Sequence, residues 1–252
     1  MQHYFISFIS AILIFIFPFN CDGQNQNDTI RVLFIGNSYT YTENLPQVIS
    51  VLSESTNKII TAHKSTVGGA TLKQHWLGAR GLQSIEKIKD GNYHIVVLQE
   101  HSMGPINHPD STLKYIGLFS NIIQKHNAKL LLYETWAREE TPERQQQISC
   151  FYIDAANRNN GTVVPVGQAW ALAKSKQSNI QLYTNDGSHP DKLGTFLTAC
   201  VFVSAITKQK PEMTSNTILT KDLYGESLIL MHLDDSEANF CIDISEKIIK
   251  KP

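Results

Sequence analysis

Cysteine is scarce in this chain, and what there is lies far apart: four residues in 252, at positions 21, 150, 200 and 241. There is no Cys-x-x-Cys and no Cys/His spacing suited to a metal, which excludes a zinc-stapled module and a disulfide scaffold. Basic clustering is equally sparse. The formal net charge is −1 and the single Lys-rich stretch is Lys247 to Lys251, better read as a solvated helix end than as a phosphate-binding surface, so no nucleic acid partner is expected. Long hydrophobic runs are also missing, with one exception. Phe5 to Phe19 is almost wholly apolar, but it is shorter than the ~20 residues that span a bilayer. It reads as the core of a signal peptide, residues 1–23, with small residues at Cys21-Asp22-Gly23 before a cleavage point at Gln24. The flank Met1-Gln2-His3 has no Lys or Arg, and lipid attachment at Cys21 is an alternative for which Pro18-Phe19-Asn20 is a poor approach. An exported chain, periplasmic or secreted, with residues 24–252 as one domain and no integral membrane span is expected. Loss of Cys21 leaves at most one intramolecular disulfide among Cys150, Cys200 and Cys241.

There is no internal repeat and no low-complexity linker. Instead, short apolar runs alternate with amphipathic stretches. Strands are predicted at Val32–Ile35, Lys58–Ala62, His94–Leu98, Lys129–Tyr133 and, weakened by Pro165, Thr162–Val166. Helices are predicted at Gln47–Leu52, around Leu72–Trp76, at Leu82–Ile88, Leu113–Ile123, Pro142–Asn157, Gln168–Lys176, Lys192–Ile206 and Asp235–Lys250. Asn160-Gly161-Thr162 matches a glycosylation acceptor but more simply marks the turn before the fifth strand. Apolar residues on both faces of the strands, with helices between them, imply a parallel α/β sheet covered on both sides.

Chemistry in such a sheet gathers at the carboxyl ends of the strands, and Ser38 falls there, after Val32–Ile35 and the turn residues Gly36-Asn37. A serine hydroxyl is a weak nucleophile until a histidine takes its proton, and that histidine works best when a carboxylate holds its tautomer. Asp186-Gly187-Ser188-His189-Pro190 offers this pair three residues apart in a sharply shaped loop. Each piece alone also has a plain reading, Ser38 as a turn residue and the loop as a helix-capping turn. Three oxyanion donors fall at strand ends as well: the Ser38 N–H, the Gly68-Gly69 loop, where glycine permits close approach, and the Gln99 side-chain amide.

With these blocks in place the chain resembles the SGNH, or GDSL-like, family of serine esterases, from Ile30 to about Ile206. Gly36-Asn37-Ser38-Tyr39 stands where that family has Gly-Asp-Ser-Leu, and Asp186 to Pro190 matches its Asp-x-x-His-Pro block. The resemblance implies a three-layer, flavodoxin-like fold with a five-stranded parallel sheet. It implies Ser38 as nucleophile, His189 and Asp186 as its partners, and an oxyanion hole of Ser38, Gly69 (Gly68 as runner-up) and Gln99. Gln99 departs from the family's asparagine by one methylene. No metal or organic cofactor is implied. The partner expected is a small ester or an acylated carbohydrate, with a longer-chain lipase or thioesterase activity, or a glycan-binding protein without turnover, as alternatives. Asn37, Trp136 and Ser102 are further candidates for substrate contact, Trp136 by stacking on a sugar. Glu100-His101-Ser102 is not read as a triad, because neighbours on an extended segment point apart. His63, His75, His94, His108 and His126 are read as surface or loop residues.

Overall fold

The computed structural model describes Met1 and residues 28–250; the apolar run at 5–19, the cleavage point before Gln24 and Cys21 lie outside the described residues. Strand β1 (Asp28–Gly36) is apolar on both faces from Val32 to Ile35, and all four of these side chains are fully buried, as a central strand covered on both sides requires. It leads through Asn37 into a single helical turn, α1 (Ser38–Tyr41), and then α2 (Leu45–Ser53) with Pro46 in its first turn. Glu43 and Asn44 between them both adopt left-handed backbone angles (φ 49° and 54°), so the chain changes direction twice. The sequence pattern did not register that extra turn after Ser38.

Next come β2 (Lys58–Thr66), α3 (Leu72–Trp76), α4 (Ser84–Asp90), β3 (Ile95–Leu98), α5 (Gly104–Asn107) and α6 (Pro109–Lys125). They are followed by β4 (Lys129–Tyr133), α7 (Gln145–Arg158), β5 (Thr162–Val164), α8 (Val166–Lys176) and α9 (Lys192–Thr207). The chain closes with β6 (Thr217–Lys221), β7 (Ser227–His232) and α10 (Asp235–Ile249). The five main strands are all parallel, in the order β2-β1-β3-β4-β5. This is the doubly wound order, in which the chain reverses direction across the sheet between β1 and β3 and opens a crevice at their carboxyl ends.

The two faces of the sheet make two cores. Val32, Phe34, Val97 and Tyr133 pack with α2, α8, α9 and α10, whereas Leu33, Ile35, Val96, Leu98, Leu130 and Leu132 pack with α3, α6 and α7. Helix α9 is buried round nearly its whole circumference, which is what an apolar helix with no polar stripe needs. Pro165, lacking an N–H, ends β5 two residues earlier than predicted and sits directly ahead of α8. Asn160 takes a left-handed conformation (φ 50°) at the turn before β5. The antiparallel β6–β7 hairpin was not anticipated. Its apolar run Leu228 to Met231 does not alternate cleanly, and its register shifts between Ile218 and Leu219. The usable signal was the turn-forming Asp222 to Gly225 between two β-rich runs. Cys150, Cys200 and Cys241 are all free thiols. No described helix is long and apolar enough to cross a membrane.

Phe202 sits where α9 meets the sheet, edge-on to Phe34 (5.2 Å) and Tyr133 (4.9 Å) and fully buried. Phe202→Ala is expected to lower unfolding free energy by about 3–5 kcal/mol, read from the urea midpoint at constant slope.

Candidate active site

The turn that presents Ser38 is held from three directions by buried side chains. The Asn37 N–H donates to Gln99 Oε1 (2.8 Å), which also accepts from Thr40 Oγ1 (2.9 Å), while Gln99 Nε2 donates to the Glu100 carbonyl. The Asn37 side chain accepts from the Tyr39 N–H (3.1 Å) and donates to the Ala70 carbonyl (3.0 Å), tying the serine turn to the loop after β2. The Gly36 carbonyl bonds His75 Nε2 (2.9 Å), whose Nδ1 meets Ser84 Oγ (2.7 Å). Gly36 is the residue this crowding demands, since an added Cβ would overlap Gln99 Oε1 and Thr40 Oγ1. Ser38 itself stays partly exposed at the top of the sheet.

The Asp186–His189 loop comes from between α8 and α9. A bridge between Tyr183 and Pro190 closes its base, with Thr184 N–H on the His189 carbonyl (2.9 Å). Gly187, at φ 61°, makes the tight corner, and its carbonyl accepts from Glu139 N–H (2.9 Å). Asp186 Oδ1 accepts from the Ser188 and His189 N–H groups (2.9 and 2.8 Å) and from Thr184 Oγ1 (2.9 Å), leaving Oδ2 for His189 Nδ1 at 2.5 Å. These donors, His189 first, hold the Asp186 carboxyl well below the ordinary range. The opposite ring nitrogen, His189 Nε2, lies 2.9 Å from Ser38 Oγ. The structure therefore brings Ser38, His189 and Asp186 into one hydrogen-bonded line although 151 residues separate the first two.

An aromatic stack supports this line from below. Tyr39 meets His189 edge-on (5.4 Å) and lies flat on Trp136 (4.7 Å, 9°), which in turn lies flat on Trp170 (3.8 Å, 3°). Tyr39 Oη contacts Ser188 Oγ at 2.5 Å, and Trp136 Nε1 donates to the Ser188 carbonyl (2.9 Å). Glu134 braces the segment leading to Trp136, accepting from Ser149 Oγ (2.6 Å), Gln145 Nε2 (3.1 Å) and Gln168 Nε2 (2.8 Å). Burial pushes its carboxyl up, and these donors pull it back.

Several sequence expectations change in this setting. Gln99 is fully buried with both ends of its amide engaged, so it shapes the serine turn from behind and does not line the space in front of Ser38. Trp136 is 1 % exposed and sandwiched between two rings, so no face remains for a sugar. Asn37 is likewise buried and committed to backbone groups. Ser102 is likewise buried, 7 % exposed. His75 is no loop histidine: it is 1 % exposed, and its signal was the spacing from Leu72, three residues apart on one helix face. Tyr39 was overlooked because it occupies a leucine position of the resembled block. Gly68 and Gly69 are exposed, with Gly69 at φ 69° in a turn closed by Ala70 N–H on the Val67 carbonyl (3.0 Å). Neither the Ser38 nor the Gly69 N–H has a hydrogen-bond acceptor among the described residues.

Burial lowers His75 to about 4 against the pull of its Gly36 bond, so it is neutral where an unfolded chain would begin to protonate it near 6.5. Its contribution is complete above pH 6.5 and is lost as pH falls toward 4, at most about 3 kcal/mol. Glu100 works the other way. Burial pushes it up to about 7, against bonds from the His101 and Leu72 N–H groups, and its share fades as pH rises from 4.5 to 7. Comparing His75→Gln with the parent isolates the first effect: urea midpoints of the variant should fall less between pH 6.5 and 4.5.

No protein-family model matches the chain. No curated protein matches it. Solved structures do. A protein of Slackia heliotrinireducens described as an SGNH hydrolase superposes with TM-score 0.61 at 22% identity, covering 72% of this chain and 100% of that one. A DUF4886 family protein from Bacteroides uniformis gives TM-score 0.71 at 18% identity, over 88% and 95% of the two chains. An acetyl xylan esterase gives 0.58 at 18%, over 70% and 100%. At these identities the likeness is one of architecture: the chain has the three-layer α/β fold of the SGNH hydrolases.

Proposed function

We propose that this protein is an exported serine esterase acting through an acyl-enzyme. The observation that carries the reading is the line Asp186 Oδ2–His189 Nδ1 (2.5 Å), His189 Nε2–Ser38 Oγ (2.9 Å). Asp186 holds the imidazole so that Nε2 faces the serine as a base. As Ser38 Oγ attacks an ester carbonyl, its proton passes to His189 Nε2, and the imidazolium returns it to the departing alcohol. Water then enters with the same base and releases the acid. The Ser38 and Gly69 N–H groups, which have no acceptor among the described residues, receive the oxyanion in this reading. Gln99 keeps the Ser38 N–H correctly aimed by holding the adjoining Asn37 amide. A carbohydrate O-acetylester is the preferred substrate, supported by the acetyl xylan esterase among the neighbours and by the apolar leader-like run at 5–19.

A fluorophosphonate probe should label Ser38, located by mass spectrometry, and labelling should disappear in His189→Ala. Ser38→Ala should abolish hydrolysis of 4-nitrophenyl acetate, and Asp186→Asn should lower kcat by roughly 10²–10⁴-fold. Unchanged turnover in Ser38→Ala would sink the reading.

A further inference from the structure

Between α3 and the α5–α6 corner lies a cavity of about 270 Å³. It is built from the residues that directly follow the two loops gripping the Ser38 turn: Thr71 and Lys73 after Ala70, and Glu100 and His101 after Gln99. His108 and Ser111 line its far side. A volume near the lower end of the roughly 300–1,000 Å³ of small-molecule pockets suits a single ring.

Its chemistry is that of a donor-rich, positively biased site. Lys73 is exposed and makes no ion pair among the described residues. His101 Nδ1 accepts from the Met103 N–H (3.4 Å), which leaves Nε2–H of the neutral ring as a donor. Thr71 uses its oxygen to accept from the Gln74 N–H (3.3 Å), so its hydroxyl proton is free. The guanidinium of Arg138, exposed and likewise without an ion-pair partner, lies within electrostatic reach of both His101 and Tyr39. Glu100 is the one carboxylate in the lining. It is 3 % exposed and turned onto the backbone N–H groups of His101 (2.7 Å) and Leu72 (3.3 Å), and burial favours its uncharged form.

We propose that this cavity is the subsite for a carboxylate-bearing sugar ring, so that the ester delivered to Ser38 is carried on an acidic glycan; this rests on the esterase reading above. Lys73 pairs with the ring carboxylate, the His101 Nε2–H and the Thr71 and Ser111 hydroxyls take ring oxygens, and Arg138 faces the next acidic unit along the chain.

The test separates binding from catalysis. The ring signals of His101 and His108 are followed by NMR in the purified protein while methyl glucuronoside, methyl glucoside or sodium acetate is added. Saturable shifts with the glucuronoside, at least about tenfold weaker binding of the glucoside, and loss of that preference in Lys73→Gln or Arg138→Gln support the subsite. Equal binding of the two glycosides, acetate matching the glucuronoside, absence of any shift, or an unchanged preference in both variants overturns it. Fluorophosphonate labelling of Ser38 reads the other claim separately. Labelling without glucuronoside binding removes the subsite and leaves the esterase, and the reverse result removes the esterase.

Discussion

The hydrogen bond from the Asn37 N–H to the Gln99 side chain joins the carboxyl ends of β1 and β3, and the presentation of Ser38 depends on it. Parallel strands align their ends but do not by themselves orient the residue that follows. Here β1 and β3 run in register up to Ile35 and Leu98, so the next side chain on β3 falls alongside Gly36. A long amide at that position reaches across and takes the N–H that a sharp turn leaves without a ladder partner. Buried, such a bond is costly to lose, because the freed amide has no water to turn to. His75 and the Asn37 side chain complete the grip from the β2 side. Three loops after three strands are thereby locked into one rigid rim.

That rim explains why some of the site could be read from the chain and some could not. Ser38, Asp186 and His189 were readable because their local grammar is strong: a buried strand ending in glycine for the first, and a Gly/Pro-shaped loop with acid and histidine three apart for the others. Gln99 was placed at the right strand end, yet its direction was not. One methylene and a full turn of backbone decide whether an amide faces substrate or the fold, and neither is encoded locally. Trp136 shows the same limit. An aromatic at a strand end suits a sugar platform equally well until Tyr39 and Trp170 are seen to cover both of its faces.

At the level of fold the pattern was dense enough to settle the class, since the five main strands are separated from one another by helices and are rich in Val, Ile or Leu. The errors fell where local signals conflict. Pro165 reads as a weakened strand residue but ends β5 and precedes a helix. The Leu228 to Met231 run, for which no element was predicted, stands partly in solvent on a two-stranded hairpin. Burial of Ile218 and Met231 on its inner side anchors this hairpin to the α2–α9 core, which no period within the segment announces.

The stack of Tyr39, Trp136 and Trp170 has an optical consequence. Two indoles nearly parallel at 3.8 Å share their excitation, so the near-ultraviolet circular dichroism of this protein carries a coupled signal from a pair at the heart of the fold. Tyr39 is the third member of the stack and touches the His189 ring at its other end. A change in the His189 ring therefore falls on a direct neighbour of the indole pair. The molecule thus carries an intrinsic chromophore in contact with His189, readable without any added dye.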